Sequence, residues 1–451
     1  MRFTVSEYNE LKQNLEMETK ESQLTDDLFN QQLKYRRPFA TLLNCETRLN
    51  LQSSAEMIGL DRQPQNPLNV LFRNRDLLKE IRDSVKSQFN IELNLLNHKL
   101  STIDFGFGGD SAPSFDHNSA HLQDEYEKVE AWKRDNFTSV QDIGHGIRSM
   151  LRILISLFEP VNQVFLIDEP EMHLYPSQKR WIGLQLAQLA KSQQKQVFIV
   201  THDPMVLQGV LDTQGSTTIF RMDQDDDGNR NINPCYLENI PDVGAIRNQD
   251  SYLQGLFYQR CIVVEGASDR AFYQVLVEEN CPEVTDKDLG FVACGGSGSS
   301  THVANIASRV GLRCAFIYDY DALLGSLTVT ENVFSMLGGD KSELRELKTV
   351  LGDLNSLGEE KKSQLIKEAK EKGVASPLVQ NKRDVFDRAT SALNNSGIFI
   401  VPYGDLESWA PDIEGPKARF ADNAPDVIKS TPESMARFNN FMEPILKYLG
   451  C

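Results

Sequence analysis

The spacing of apolar positions divides the chain into a helical opening and two runs of alternating strand and helix. The stretch "SEYNELKQNLEMETKESQLTDDLFNQQLKY" has spaced apolar residues and no Gly or Pro, which predicts that residues 1–50 are mostly helical. "NRDLLKEIRDSVKSQFN" (74–90) repeats the pattern as a shorter helix. "FGFGGDSAPSFDHNS" (105–119) reads as a loop from its Gly, Pro, Asp and Ser. A Gly-rich turn then opens the apolar helix "DIGHGIRSMLRILISLF" (142–158). Strand "VFLID" (164–168), helix "SQKRWIGLQLAQLAKS" (177–192), strand "QVFIVTHD" (196–203) and strand "TTIFRMD" (217–223) follow. Alternation of this kind predicts a parallel sheet with right-handed crossovers.

"DQDDDGNRNINP" (223–234) is polar and acidic and predicts a domain edge. It superficially resembles a calcium loop, but lacks the glutamate at position twelve and flanking helices. A second α/β run opens at "CIVVEG" (261–266) and continues through "SDRAFYQVLVEEN", "GFVACG" (290–295), "STHVANIASRVG" (300–311) and "CAFIYDYD" (314–321). A charged helical insert covers about 340–372, and "GIFIVPYGDLESW" (397–409) returns as a strand. The fold expected is α/β in two parts. One spans residues 1–240 and the other 255–415, with a helical tail over 416–451.

Composition narrows this picture without redirecting it. The 451 residues suit two to four domains, and 40% hydrophobic with 25% charged residues is ordinary for a soluble protein. No stretch approaches the roughly 20 apolar residues of a membrane span, so no membrane partner is expected. The polar start is no secretory signal. Seven scattered cysteines without CxxC pairs predict reduced core thiols in a cytoplasm and no structural zinc. The net charge of −17 argues against non-specific nucleic-acid binding, yet leaves room for a local basic groove.

Two constellations carry candidate chemistry. In the first, an apolar strand ends in Asp168 and Glu169, and "THD" with His202 ends the next strand. Ligands of such sheets gather at the carboxyl ends of strands, so both ends should meet at one crevice. There Asp168 would hold magnesium, Glu169 would orient or deprotonate a water, and His202 would sense a γ-phosphate. The Gly144-His145-Gly146 turn points backbone N–H groups and a helix dipole at an anion, with Arg148 adding charge. The alternative is a pair of helix-capping acids and a surface histidine. No Gly-x-x-x-x-Gly-Lys-Ser/Thr phosphate loop occurs, and "GGSGSSTH" (295–302) has no lysine.

In the second constellation, Glu265 ends a strand and Asp269 lies one helical turn on. Asp319 and Asp321 are two apart, as are Asp405 and Glu407, which compete for one role. Residues two apart on a strand share a face, so these carboxylates can reach one site. Clustered carboxylates repel and imply bound cations, and all-oxygen donors favour Mg²⁺ or Mn²⁺. Two such ions suit phosphodiester cleavage.

The second set resembles a Toprim domain, and the first resembles part of an ABC-type ATPase. The whole order resembles the OLD (overcoming lysogenization defect) family of ATP-dependent endonucleases. "GHGIRS" is similar to its signature turn, "VFLIDEPEMHLYPSQ" to its Walker B segment and "THD" to its switch histidine. "VVEGASD", "GGSGS", "DYD" and "GDLES" are similar to its Toprim motifs, and the likeness runs over roughly residues 140–410. The resemblance implies a homodimeric enzyme that cuts DNA with two metals at Glu265, Asp269, Asp319, Asp321 and Glu407. It also implies a role in bacterial anti-phage defence, of Gabija or retron-associated type, with further defence components as partners. A module with an idle site, acting with a partner chain, is the alternative function. Departures are the absent phosphate loop, His145 in place of the signature serine, and a Gly-rich turn without lysine. The first implies an N-terminal lobe missing from the chain or a decayed ATPase, so ATP binding is in question. Lys382 or Arg383 is a candidate for the missing cation.

Overall fold

The computed structural model describes residues 40–451 except 45–46, 50, 59–60, 63, 65, 100–101, 109–117, 120, 159–161, 214–216, 225–229, 237–249, 282–283, 285–287, 325–326, 355, 357, 412 and 414–416. The chain divides into two compact units at Gly209/Val210.

In the first unit a parallel sheet has the order β1-β6-β7, with β1 at Ala40–Leu43, β6 at Val164–Asp168 and β7 at Gln196–Val200. Phe165 and Ile167 of β6 point into a core with Met150 and Leu154 of the helix His145–Ser156 and Ile182 and Leu186 of the helix Pro176–Ser192. This burial fixes which face of the sheet the two helices cover. The alternate residues Leu42, Leu166, Phe198 and Val200 form the other face and are exposed. An antiparallel sheet lies beside it, ordered β2 (Ser54–Glu56), β4 (Thr102–Gly108), β3 (Leu93–Lys99), with β5 (Phe137–Ser139) on the second edge of β4.

The helical reading of residues 1–50 needs correction where it can be followed. Residues 1–39 lie outside the described residues, but Ala40–Leu43 is a strand that pairs with β6. A four-residue apolar run is ambiguous by periodicity, and here the sheet edge decides it. The loop read at 105–119 also begins inside β4, where Phe105 and Phe107 are buried. Residues 109–117 lie outside the described residues. The glycines are there for close approach: a Cβ on Gly106 would lie 2.4 Å from the Phe137 ring, and one on Gly108 2.5 Å from the Asn136 carbonyl oxygen. β8 (Thr218–Gln224) leaves the parallel scheme and pairs antiparallel with β9 (Arg230–Tyr236).

The second unit is built on an all-parallel sheet of order β11-β10-β12-β13. These strands are Leu289–Ala293, Arg260–Val264, Arg313–Tyr318 and Ile398–Ile400. The helix Ala267–Asn280 follows β10, and the helix Ser300–Val310 leads into β12. The insert folds as helices, including Arg345–Leu354 and Glu359–Lys372. Helices Lys417–Ser430 and Pro432–Leu449 close the core, with Phe420, Phe438 and Met442 packed beside Phe272 and Trp409. The chain is thus mixed α/β with two parallel sheets, as its strand and helix alternation predicts. No helix among the described residues is long and apolar enough to cross a membrane.

Candidate active site

In the first unit Asp168 is the last residue of β6 and pairs in register with Val200 of β7. The next residue, Glu169, takes φ +47°, the left-handed region that non-glycine residues rarely adopt. Three backbone bonds hold it there. Its N–H donates to the Val200 carbonyl at 2.7 Å. Its own carbonyl accepts from Arg48 Nη1 at 2.7 Å and from Met172 N at 3.1 Å. Arg48 is 1% exposed, so a buried guanidinium fixes the turn that presents the Glu169 carboxylate. Strain sustained in this way is characteristic of working sites. His202 Nε2 stands 3.7 Å from Glu169 Oε1, so the two motifs do meet. Glu171, 8% exposed, sets that meeting. Its Oε1 accepts from Thr201 Oγ1 at 2.7 Å and from His202 N at 3.1 Å.

The Gly-x-Gly turn joins the same end of the sheet. A Cβ on Gly146 would lie 2.4 Å from the His173 carbonyl oxygen, so only glycine permits the approach. The His145 and His173 rings lie 6.2 Å apart. Gly144 N-caps the helix, and among the described residues a Cβ there would meet nothing within 4 Å. Arg148 does not reach outward. Its Nη2 donates to the carbonyls of Gln141 and Ile143 at 2.7 and 2.9 Å, bracing the turn.

In the second unit Glu265 follows β10 and Asp319 follows the adjacent β12. The Gly-rich turn is hung on Glu265, whose carbonyl accepts from Gly296 N at 2.8 Å. One carboxylate oxygen of Glu265 is buried, and so is one of Glu407. Burial, with the Glu265 charge beside it, pushes the Cys294 thiol and the Tyr318 hydroxyl well above their ordinary ranges. Asp269 sits in the first turn of the helix Ala267–Asn280, its Oδ2 3.0 Å from where a Cβ on Gly266 would be. Asp269 and Asp319 both act on the buried Tyr273 hydroxyl, which burial chiefly pushes up. That hydroxyl accepts from Trp409 Nε1 at 3.2 Å, tying the "GDLES" segment to the helix that carries Asp269. A second tie runs from Tyr320 N to the Gly404 carbonyl at 2.8 Å, joining "DYD" to the same segment.

The cation facing these acids comes from the insert. Lys370 Nζ lies 2.8 Å from Asp321 Oδ2. The hydrogen bond to Asp321, with the charges of Asp321, Asp319 and Asp405 behind it, holds the ammonium above the usual lysine range despite some burial. Arg383 pairs instead with Asp387 on an exposed helix face, and the Lys382 amide caps the preceding helix. Lys370 was legible only as one charge in "KEAKEKG", which reads as a solvated face. Arg48, Glu171 and Tyr273 carried no motif at all.

The donor set fits a hard divalent cation by chemistry: Glu265, Asp269, Asp319, Asp321, Asp405 and Glu407 offer only carboxylate oxygens, two of them desolvated. Among the described residues no three acids already stand close enough to hold an ion. Asp321 is turned to Lys370 instead.

Both units have counterparts in known proteins. Residues 3–207 match the AAA ATPase domain family, and residues 256–321 match the overcoming lysogenization defect protein-like TOPRIM domain family. The fold and the two matched domains define an ATPase–Toprim protein. In this domain order, and in the names of the relatives it matches, the chain is similar to the OLD family. It is 25% identical over 236 residues to the OLD nuclease of Thermus scotoductus, covering 49% of this chain and 42% of that protein. It is also 25% identical over 214 residues to the Old nuclease of Escherichia phage P2, covering 43% of this chain and 35% of that protein. The chain therefore spans less than half the length of either curated relative.

Proposed function

We propose that this protein is a divalent-metal-dependent nuclease that hydrolyses phosphodiester bonds of DNA at the carboxylates of its second unit. The first unit serves as a regulatory and dimerising part. The observation that carries this reading is the junction of three motifs at one sheet end, with Glu265 and Asp319 closing adjacent strands and Tyr320 N bound to the Gly404 carbonyl. Glu265, Asp319 and Asp321 are the residues to hold metal, with Asp269 and Glu407 completing the shell. Bound Mg²⁺ or Mn²⁺ supplies water activation and stabilisation of the leaving oxygen. The chain's own residues then orient the site: the Tyr273–Trp409 bond fixes the segment carrying Asp405 and Glu407, and the Gly296–Glu265 bond fixes the Gly-rich turn beside the scissile bond.

The expected outcome is that Glu265→Ala and Asp319→Ala abolish Mg²⁺- or Mn²⁺-dependent cutting of plasmid DNA while the far-UV circular dichroism stays native. Undiminished cutting by both variants refutes the proposal. The nuclease names of the two relatives support it, and so does the matched Toprim domain. In the first unit Asp168, Glu169 and His202 form one half of a nucleotide site, to which the helix N-terminus at Gly144 and Gly146 adds an anion-facing turn. Nucleotide bound there would bias dimer formation, as in the resemblance to ABC-type ATPases, and an anti-phage role is the physiological reading of such a gated nuclease. An idle second unit is favoured by one observation, the tie of Asp321 to Lys370. Calorimetric titration with Mn²⁺ separates the readings, because an idle unit takes up no ion.

A further inference from the structure

We infer that Lys370 is a built-in counter-ion that competes with a divalent cation for Asp321, so that the helical insert sets how tightly metal enters the site. This rests on the nuclease reading of the same carboxylates. Lys370 is not a lysine that happens to lie near an acid. Its backbone carbonyl presses on the segment that carries Asp405: a Cβ on Gly404, at φ +128°, would lie 2.6 Å from it and 2.9 Å from the carbonyl of Glu371. Two residues on, Gly373 closes the helix at φ +53°, and a Cβ there would lie 2.2 Å from the Pro402 carbonyl oxygen. Val374 N then donates to that same oxygen at 2.9 Å. Two glycines in conformations that disfavour side chains thus lock the helix end against the acidic loop. The lysine stem reaches from that fixed base to Asp321.

The charges explain why such a device has an effect. Acids from three motifs converge, and their mutual repulsion favours any cation within reach. The Lys370 ammonium neutralises one charge and occupies Oδ2 of Asp321. It is a compact charge on a flexible four-carbon stem and can swing away. With its side chain 45% exposed, the exit leads to solvent. A divalent cation that takes Asp321 must displace the ammonium and neutralises twice the charge. While the ammonium is there, Asp321 is not free to complete an ion's shell, in keeping with the lack of a closed ligand group among the described residues.

The test is calorimetric titration of the full chain with Mn²⁺ alone, comparing wild type with Lys370→Met and Lys370→Arg. Removing one facing charge and one competing hydrogen bond at a half-exposed position should tighten binding about five- to tenfold in Lys370→Met. Lys370→Arg keeps the charge and should bind no more tightly than wild type. Equal or weaker affinity of Lys370→Met overturns the inference, while wild-type binding that Glu265→Ala abolishes leaves the nuclease reading standing. If neither wild type nor Lys370→Met binds Mn²⁺, both fall. Lys370→Gln carries the same expectation should Lys370→Met fail to fold.

Discussion

Gly373→Ala should be among the most damaging single methyl additions in the second unit. The residue sits at φ +53°, ψ −129°, a combination in which a side chain is strained wherever it points. That conformation costs an alanine about 1–3 kcal/mol. The new Cβ would lie 2.2 Å from the Pro402 carbonyl oxygen and 2.8 Å from the Tyr403 carbonyl carbon, both backbone atoms that cannot rotate away. Forcing a methyl into such a contact adds about 1–3 kcal/mol. Parting the strands of chain also weakens the Val374–Pro402 hydrogen bond, worth about 1 kcal/mol. The sum is about 3–7 kcal/mol, a large share of the 5–15 kcal/mol that holds an ordinary domain together. At about 2–4 °C per kcal/mol for a domain of this size, the melting temperature should fall by roughly 6–28 °C. Differential scanning calorimetry reads this directly. Gly352→Ala is the control, since that glycine lies inside the helix Arg345–Leu354 with nothing within 4 Å of its Cβ position. It should stabilise by about 0.5–1 kcal/mol through helix propensity. A Gly373→Ala protein that melts within 2 °C of wild type would refute the claim that this turn is locked against Pro402.

Other positions give independent tests. Glu171→Ala removes the acceptor of Thr201 Oγ1 and His202 N, and hydrogen bonds to a charged group are worth about 1.5–3 kcal/mol each. Denaturant unfolding should show a loss of roughly 3–6 kcal/mol, with Glu171→Gln well short of that; equal losses would show that the carboxylate charge is irrelevant there. Tyr273→Phe strands the indole N–H of Trp409 in the core, at a cost of about 1–3 kcal/mol. Its urea midpoint should fall accordingly, and an unchanged midpoint would mean that the Trp409 donor finds another acceptor. Iodoacetamide at pH 8 should label Cys281 and Cys451 before Cys261 and Cys294. The first two are partly exposed, whereas the Cys261 thiol is pushed well up by its bond to Cys314 and by burial, and Cys294 by burial. Mass spectrometry showing Cys261 modified first would contradict the packing of β10.

What the sequence disclosed follows from how each feature is encoded. Strands β6 and β10 are short apolar runs with an acid at or just after the last residue, so both the element and its acidic end are visible locally. β1 and the start of β4 were misread because four-residue runs and glycine-rich stretches look alike as strand or loop until a neighbouring strand or ring is placed beside them. The places of Glu265 and Asp319 at the ends of adjacent strands are visible in the sequence because each follows a short apolar run. Arg48, Glu171, Tyr273 and Lys370 each bind a motif segment from 30 to 136 positions away along the chain, and no local pattern records such a partnership: Glu171 and Thr201 are 30 apart, Lys370 and Asp321 49, Arg48 and Glu169 121, and Tyr273 and Trp409 136. The lysine is the clearest case. A charged helix of "KEAKEKG" type has no face that announces a target, because its lysines and glutamates satisfy one another at i,i+4, as Lys372 and Glu368 do. What singles out Lys370 is the pair of glycines at 373 and 404, each pressed on a carbonyl of the other segment. Glycines that no turn type demands, placed on either side of a charged helix and an acidic loop, are therefore the sequence signal that two distant segments meet, and here they meet at the carboxylates on which the chemistry is proposed to depend.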